Sequence, residues 1–153
     1  MADDIHYPFI REAIALSQAA VDHGNEPFGA VLVKDGAVIL RAENTIFTES
    51  DPTGHAETNL VRLAGAAYTA EFLADCTLYT STEPCAMCAG AIYWSGIGRM
   101  IYACSEQRLK AIIGGGGLKL PSREVFARGA RTVEVIGPVL EEEAVAVHLA
   151  YWP

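Results

Sequence analysis

Pro84-Cys85-Ala86-Met87-Cys88, preceded along the chain by His55-Ala56-Glu57, is the stretch from which the rest of the sequence can be organised. It offers two thiolates and one imidazole to a single ion, and leaves one carboxylate to spare. Cys85 and Cys88 stand at i and i+3, so on a helix they share one face. In a first turn they meet the positive end of the helix dipole, which lowers a thiol pKa. Pro84 suits such a start, because its missing N–H would lack an intrahelical partner there anyway. His55 opens a second apolar-periodic segment right after Gly54, so two helix N-termini are predicted to converge on one ion. His55, Cys85 and Cys88 as ligands of zinc leave one tetrahedral position open for water, which is the arrangement of a catalytic centre. Glu57, two residues beyond His55, is the candidate general acid–base. The competing reading is a zinc used only for folding, with Glu57 a solvated helix residue. C-x-x-C alone leaves that open; the added H-x-E and its separation along the chain are more specific.

Outward from these motifs the chain alternates. Apolar residues at helical spacing (Phe9, Ile10, Ala13, Ile14, Leu16, Ala20) predict a helix over 9–20. Strand-like runs at 28–33 and 37–40 flank Lys34-Asp35-Gly36, a hairpin signal because Asp-Gly supplies positive φ. A polar loop at 44–54 precedes a helix from 55 to 67; a strand at 77–80 precedes an apolar helix over 85–94, expected to be buried. Strands follow at 99–103 and 131–136, a glycine-rich connection lies at 114–117, and a helix over 141–152 closes the chain. The pattern implies an α/β fold: a three-layer α/β/α sandwich with a mixed five-stranded sheet, residues 1–153 forming one domain.

Composition narrows the function. Hydrophobic residues make up 51% of the chain, consistent with a compact core and an apolar subunit interface, and the apolar runs are too short or interrupted to span a bilayer. With an acidic start and no apolar signal core, a cytoplasmic location is expected. The net charge is −8 and the 11 Lys and Arg are scattered, so a nucleic-acid partner is not expected. Cys76 and Cys104 sit at the edges of strand-like runs and read as small buried hydrophobes. His6, His23 and His148 read as surface or helix-face histidines.

H-x-E followed by P-C-x-x-C is the pattern of the zinc-dependent base deaminases, and the chain resembles the cytidine-deaminase-like superfamily from about residue 9 to its last helix, most densely over 25–94. Asp51-Pro52-Thr53-Gly54-His55-Ala56-Glu57 resembles the D-P-T-A-H-A-E run of tRNA adenosine and guanine deaminases, with Gly54 in place of alanine, a change expected to relax the loop. The run from Leu78 to Trp94 and Glu26-Pro27-Phe28-Gly29-Ala30 look most like guanine deaminases; beyond Trp94 the chain looks more like the cytosine-deaminase arrangement. The resemblance implies Zn2+ as cofactor, Asn44 hydrogen-bonding the base, Phe28 stacking on it, the Ala56 N–H and Trp94 at the pocket, and Trp152 capping it. Glu83 is expected to support the site through its backbone. The implied activity is hydrolytic deamination of a small free nucleobase or related amino-heterocycle, guanine-type ahead of cytosine, by a homodimer. The alternatives are a tRNA-specific adenosine deaminase, which would want a more basic C-terminal helix, and a non-catalytic zinc-binding module.

Overall fold

A computed structural model describes residues 2–153. The strands are β1 (Gly29–Lys34), β2 (Ala37–Glu43), β3 (Thr77–Thr82), β4 (Arg99–Cys104) and β5 (Glu134–Ile136). They form one sheet in the order β2-β1-β3-β4-β5. β1 is antiparallel to β2 and β3, whereas β3, β4 and β5 run parallel, so the sheet is mixed as expected. Helices α1 (Tyr7–Asp22), α2 (Ala56–Ala67), α3 (Ala70–Leu73), α4 (Ala86–Ser95), α5 (Glu106–Ile113), α6 (Ser122–Ala127) and α7 (Glu141–Tyr151) complete the fold.

Alternate residues of each inner strand feed two cores, because successive side chains point to opposite faces. Ala30, Leu32, Leu78 and Met100 pack with Leu60 and Ala64 of α2 and with Ala89 and Ile92 of α4. Val31, Val33, Tyr79 and Ile101 pack on the other side with Ile10 of α1 and Ala144 and Val145 of α7. Cys76 and Cys104 are buried within these cores, as their small apolar side chains predict.

The hairpin forms where Asp35-Gly36 places it. Both residues have positive φ, 51° and 76°, and Lys34 pairs with Ala37 across the turn. Gly29 is required by close packing: a Cβ there would lie 2.6 Å from Leu16 Cβ in α1. Gly54 is likewise a packing glycine. A Cβ would come within 2.8 Å of Thr45 Oγ1, so its effect is to tighten the loop against Thr45, contrary to the relaxation expected.

Three other expectations change. The strand predicted over 131–136 begins only at Glu134. Arg131 leaves the sheet to donate to the carbonyls of Ile92, Tyr93 and Ile97 at 3.1, 2.6 and 2.9 Å, capping the end of α4. α4 itself buries only Cys88, Ala89 and Ile92, while Trp94 is 84% exposed. His6 and His148 are buried; His6 Nδ1 lies 2.8 Å from the Tyr79 hydroxyl. Only His23 is exposed as expected, with Nδ1 2.8 Å from Glu43. Among the described residues, no helix is long and apolar enough to cross a membrane.

Candidate metal centre and substrate pocket

The starts of α2 and α4 meet beside β3. His55 is the N-cap of α2 and Cys85 the N-cap of α4, both with extended backbone, and Cys88 follows in the first turn of α4. Pro84 therefore lies one residue ahead of the cap, not inside the first turn. His55 Nδ1 is 3.6 Å from Cys85 Sγ and 3.5 Å from Cys88 Sγ. A tetrahedral zinc with Zn–S near 2.3 Å and Zn–N near 2.0 Å sets the N···S edge at about 3.6 Å, so these three atoms fit that ion. They form the one cluster of three potential metal ligands among the described residues, and Glu57 is not part of it. A donor set of one nitrogen and two sulfurs leaves the coordination open on one side.

The electrostatics describe one thiolate and one thiol sharing a proton. The Cys85 thiol is pulled down to about 4, first by the hydrogen bond from the Cys88 thiol and then by His55. Cys88 moves the opposite way, through the same shared proton and its burial. Thr58 Oγ1, one turn into α2, lies 3.1 Å from Cys88 Sγ and supports it from behind. Glu57 is 5% exposed. Burial and then the negative charge of Cys85 push its carboxyl up to about 7, against the pull of His55. A group poised there can take and return a proton near neutral pH.

A cavity of about 400 Å³ opens onto this centre, with Glu57, His55 and Cys85 at its floor and Phe28, Leu109, Ile113, Leu118 and Trp152 among its walls. Phe28 and Trp152 both line it. Both are held by His148. The Trp152 indole N–H donates to His148 Nδ1 at 3.0 Å, so the ring proton sits on Nε2, which lies 2.8 Å from Thr82 Oγ1 and donates to it. The Phe28 ring meets the imidazole edge-on at 5.4 Å. Burial drives the His148 pKa down to about 4, keeping it neutral.

Asn44, Ala56 and Trp94 are not wall residues of this cavity. Asn44 is buried and its Oδ1 accepts from the Ile46 N–H at 3.1 Å, closing a turn after β2; its amide nitrogen alone is left as a donor. Ala56 is fully buried and begins α2, which leaves its N–H without an intrahelical partner. Trp94 lies on the exposed side of α4, two residues and so more than half a turn from the buried Ile92.

Two further wall residues lie inside the quoted runs, but those runs do not disclose their side-chain roles. Glu26 lines the cavity, half-buried, with its carboxyl raised by burial and partly restored by His55. Glu83 acts through its side chain, not only its backbone: Oε1 accepts from the Glu106 N–H at 3.0 Å and Oε2 from the Ser122 hydroxyl at 2.6 Å. It thereby ties the starts of α5 and α6, whose glycine-rich connection forms the rim. The resemblance of the Glu26 to Ala30 run was the one local signal for the first of these; nothing local marks the partners of Glu83.

The family described as cytidine and deoxycytidylate deaminase zinc-binding region matches residues 4–104. A probable cytosine deaminase of Schizosaccharomyces pombe is 41% identical over 148 residues, 94% of this chain and 90% of that protein. A guanine deaminase of Bacillus subtilis is 48% identical over 102 residues, 66% of this chain and 65% of that enzyme. A tRNA-specific adenosine deaminase of the same organism is 36% identical over 135 residues, covering 88% and 81% of the two chains. Among solved structures, a guanine deaminase from Nitrosomonas europaea superposes with a TM-score of 0.81 at 25% identity, covering 94% of this chain and 82% of its own. An open nitrogen–sulfur ligand set, a buried carboxylate beside it and these relatives converge: the chain is a zinc-binding deaminase, a hydrolase of C–N bonds, and belongs to the cytidine and deoxycytidylate deaminase family.

Proposed function

We propose that residues 1–153 act as a single deaminase domain on a small free nucleobase or related amino-heterocycle, with guanine-type bases ahead of cytosine. The observation that carries this reading is the cavity: about 400 Å³, walled by Phe28, Trp152 and aliphatic side chains, with Glu26 and Glu57 among its charged lining. A flat heterocycle fits between such walls. A phosphate backbone finds little to hold it, since Lys110 at the rim already pairs with Glu106 at 3.3 Å. The 48% identity to a guanine deaminase over the motif-bearing region favours the guanine type; the 41% identity to a probable cytosine deaminase keeps cytosine next.

His55, Cys85 and Cys88 would hold zinc, which when bound supplies Lewis acidity that lowers the pKa of water. Glu57 takes a proton from the attacking water, delivers it to the ring nitrogen beside the reacting carbon, and then carries the second proton, from the hydroxyl so added, to the departing amine. Water adds, the C–N bond breaks, and ammonia leaves with the ring now a carbonyl. Phe28 and Trp152 hold the ring plane and exclude water. Trp94, exposed on α4 and absent from this pocket, fits better in a homodimer interface, and a cytoplasmic location accords with the lack of a membrane-spanning helix among the described residues.

The test is ammonia release by zinc-loaded protein on a panel of free bases, beside inosine formation in tRNA. Turnover of guanine-type bases faster than cytosine, with tRNA untouched, is the expected result. Inosine in tRNA without free-base turnover would replace this reading with tRNA adenosine deamination. Bound zinc with no turnover on either would leave only the non-catalytic module.

A further inference from the structure

Four glutamates line a pocket that needs one for proton transfer. Of the three besides Glu57, Glu83 is tied to the Glu106 N–H and Ser122 and Glu106 to Lys110, which leaves Glu26. It lies ahead of Pro27 and Phe28, and lines the same cavity as His55 and Glu57. It is near enough to the centre for its charge and that of His55 to act on each other. Among the described residues no side chain or backbone group hydrogen-bonds to its carboxylate, and no cation pairs with it. Nearby Lys110 is engaged with Glu106, and Trp152 gives its only donor to His148. A ligand that displaces water from this half-buried carboxylate must bring a donor in its place or leave it unmatched, so one that brings a donor gains over one that does not.

We propose, resting on the deaminase reading above, that Glu26 is the specificity-determining residue that selects rings whose reacting carbon lies between two ring nitrogens. In such cyclic guanidines one ring nitrogen receives the proton from Glu57, and the other presents an N–H on the opposite flank, where Glu26 accepts it. Guanine, isocytosine and amino-oxo-triazines in their lactam form have this edge. Cytosine and adenine have a ring carbon on that flank and leave Glu26 unpaired. The residue touches substrate through one hydrogen bond and takes no part in bond breaking.

Two matched pairs test this: isocytosine with cytosine, which both give uracil, and guanine with adenine. The ratio of kcat/KM within each pair is measured for zinc-loaded wild-type, Glu26→Leu and Glu26→Gln, with equilibrium binding of the same bases followed alongside. Wild-type protein favours isocytosine and guanine. Glu26→Leu lowers both ratios at least tenfold, and Glu26→Gln lowers them less, because its amide oxygen still accepts. Deamination with ratios unmoved by either substitution, or a wild-type preference for cytosine and adenine, overturns the role of Glu26 and leaves the deaminase reading intact. Binding that discriminates through Glu26 while no base releases ammonia does the reverse. Neither binding nor turnover of any of the four overturns both.

Discussion

The floor and the rim of the pocket are built on different principles. The floor consists of His55, Glu57, Cys85 and Cys88 at the starts of α2 and α4, and the residues just beyond them, Leu60, Ala64, Ala89 and Ile92, are fully buried in one core. The rim consists of the α5–α6 connection, where Gly114, Gly115 and Gly116 all have positive φ and Leu118 is 63% exposed, and of Trp152 past the end of α7. Its position depends on a few polar ties: Glu83 to Glu106 and Ser122, Ser105 N–H to Glu141 at 2.7 Å, and Trp152 to His148. Chemistry that tolerates little displacement rests on packed helix starts. The rim is a part of the molecule that can be reshaped without unfolding it.

The sharpest way to break this contrast is at the floor. Cys88→Ala removes a ligand that no neighbour can replace, and is expected to abolish both zinc retention, read by metal analysis of the purified protein, and turnover. Full activity in that variant would dissolve the distinction. Glu57→Gln should keep zinc and fold but lose about 10²–10⁴-fold in kcat; turnover above a tenth of wild type would remove Glu57 from the proton path.

The rim should respond differently, through stability and KM. His148 stays neutral in the folded protein until about pH 4, whereas the unfolded chain protonates it near 6.5. The unfolded state thus binds more protons between these values, and the stability this histidine provides is complete above about 6.5 and is lost as pH falls towards 4, on the order of 3 kcal/mol in all. Urea unfolding at neutral and acid pH should show a smaller acid loss for His148→Phe than for wild type; equal losses would contradict the assignment. Trp152→Ala opens one wall and should raise KM about tenfold, worth about 1.4 kcal/mol, with kcat changed less. A fall confined to kcat would move Trp152 from the rim to the floor.

Legibility follows the same line. The metal ligands, the hairpin at Asp35-Gly36 and the helix starts at His55 and Cys85 are encoded over a few residues, where turn stereochemistry and the helix repeat suffice to place them. α4 shows where that reasoning ends: its composition is apolar nearly all round, yet only one side is covered by this chain, and Trp94 faces outward. Arg131 shortens β5 because the carbonyls it satisfies, in α4 and just past its end, lie 34–39 residues earlier.

By itself the amino-acid order determined a mixed sheet clothed by helices and a nitrogen–sulfur zinc centre with an acid beside it, since each rests on spacing within single elements. Only the tertiary structure decided that Glu26 faces the substrate cavity, that Glu83 reaches Ser122 39 residues away, and that His148 joins Thr82 66 residues away to hold Trp152. Those contacts are set by strand order and helix docking, which bring distant segments together through burial of apolar surface, a force without direction that leaves no local pattern to read.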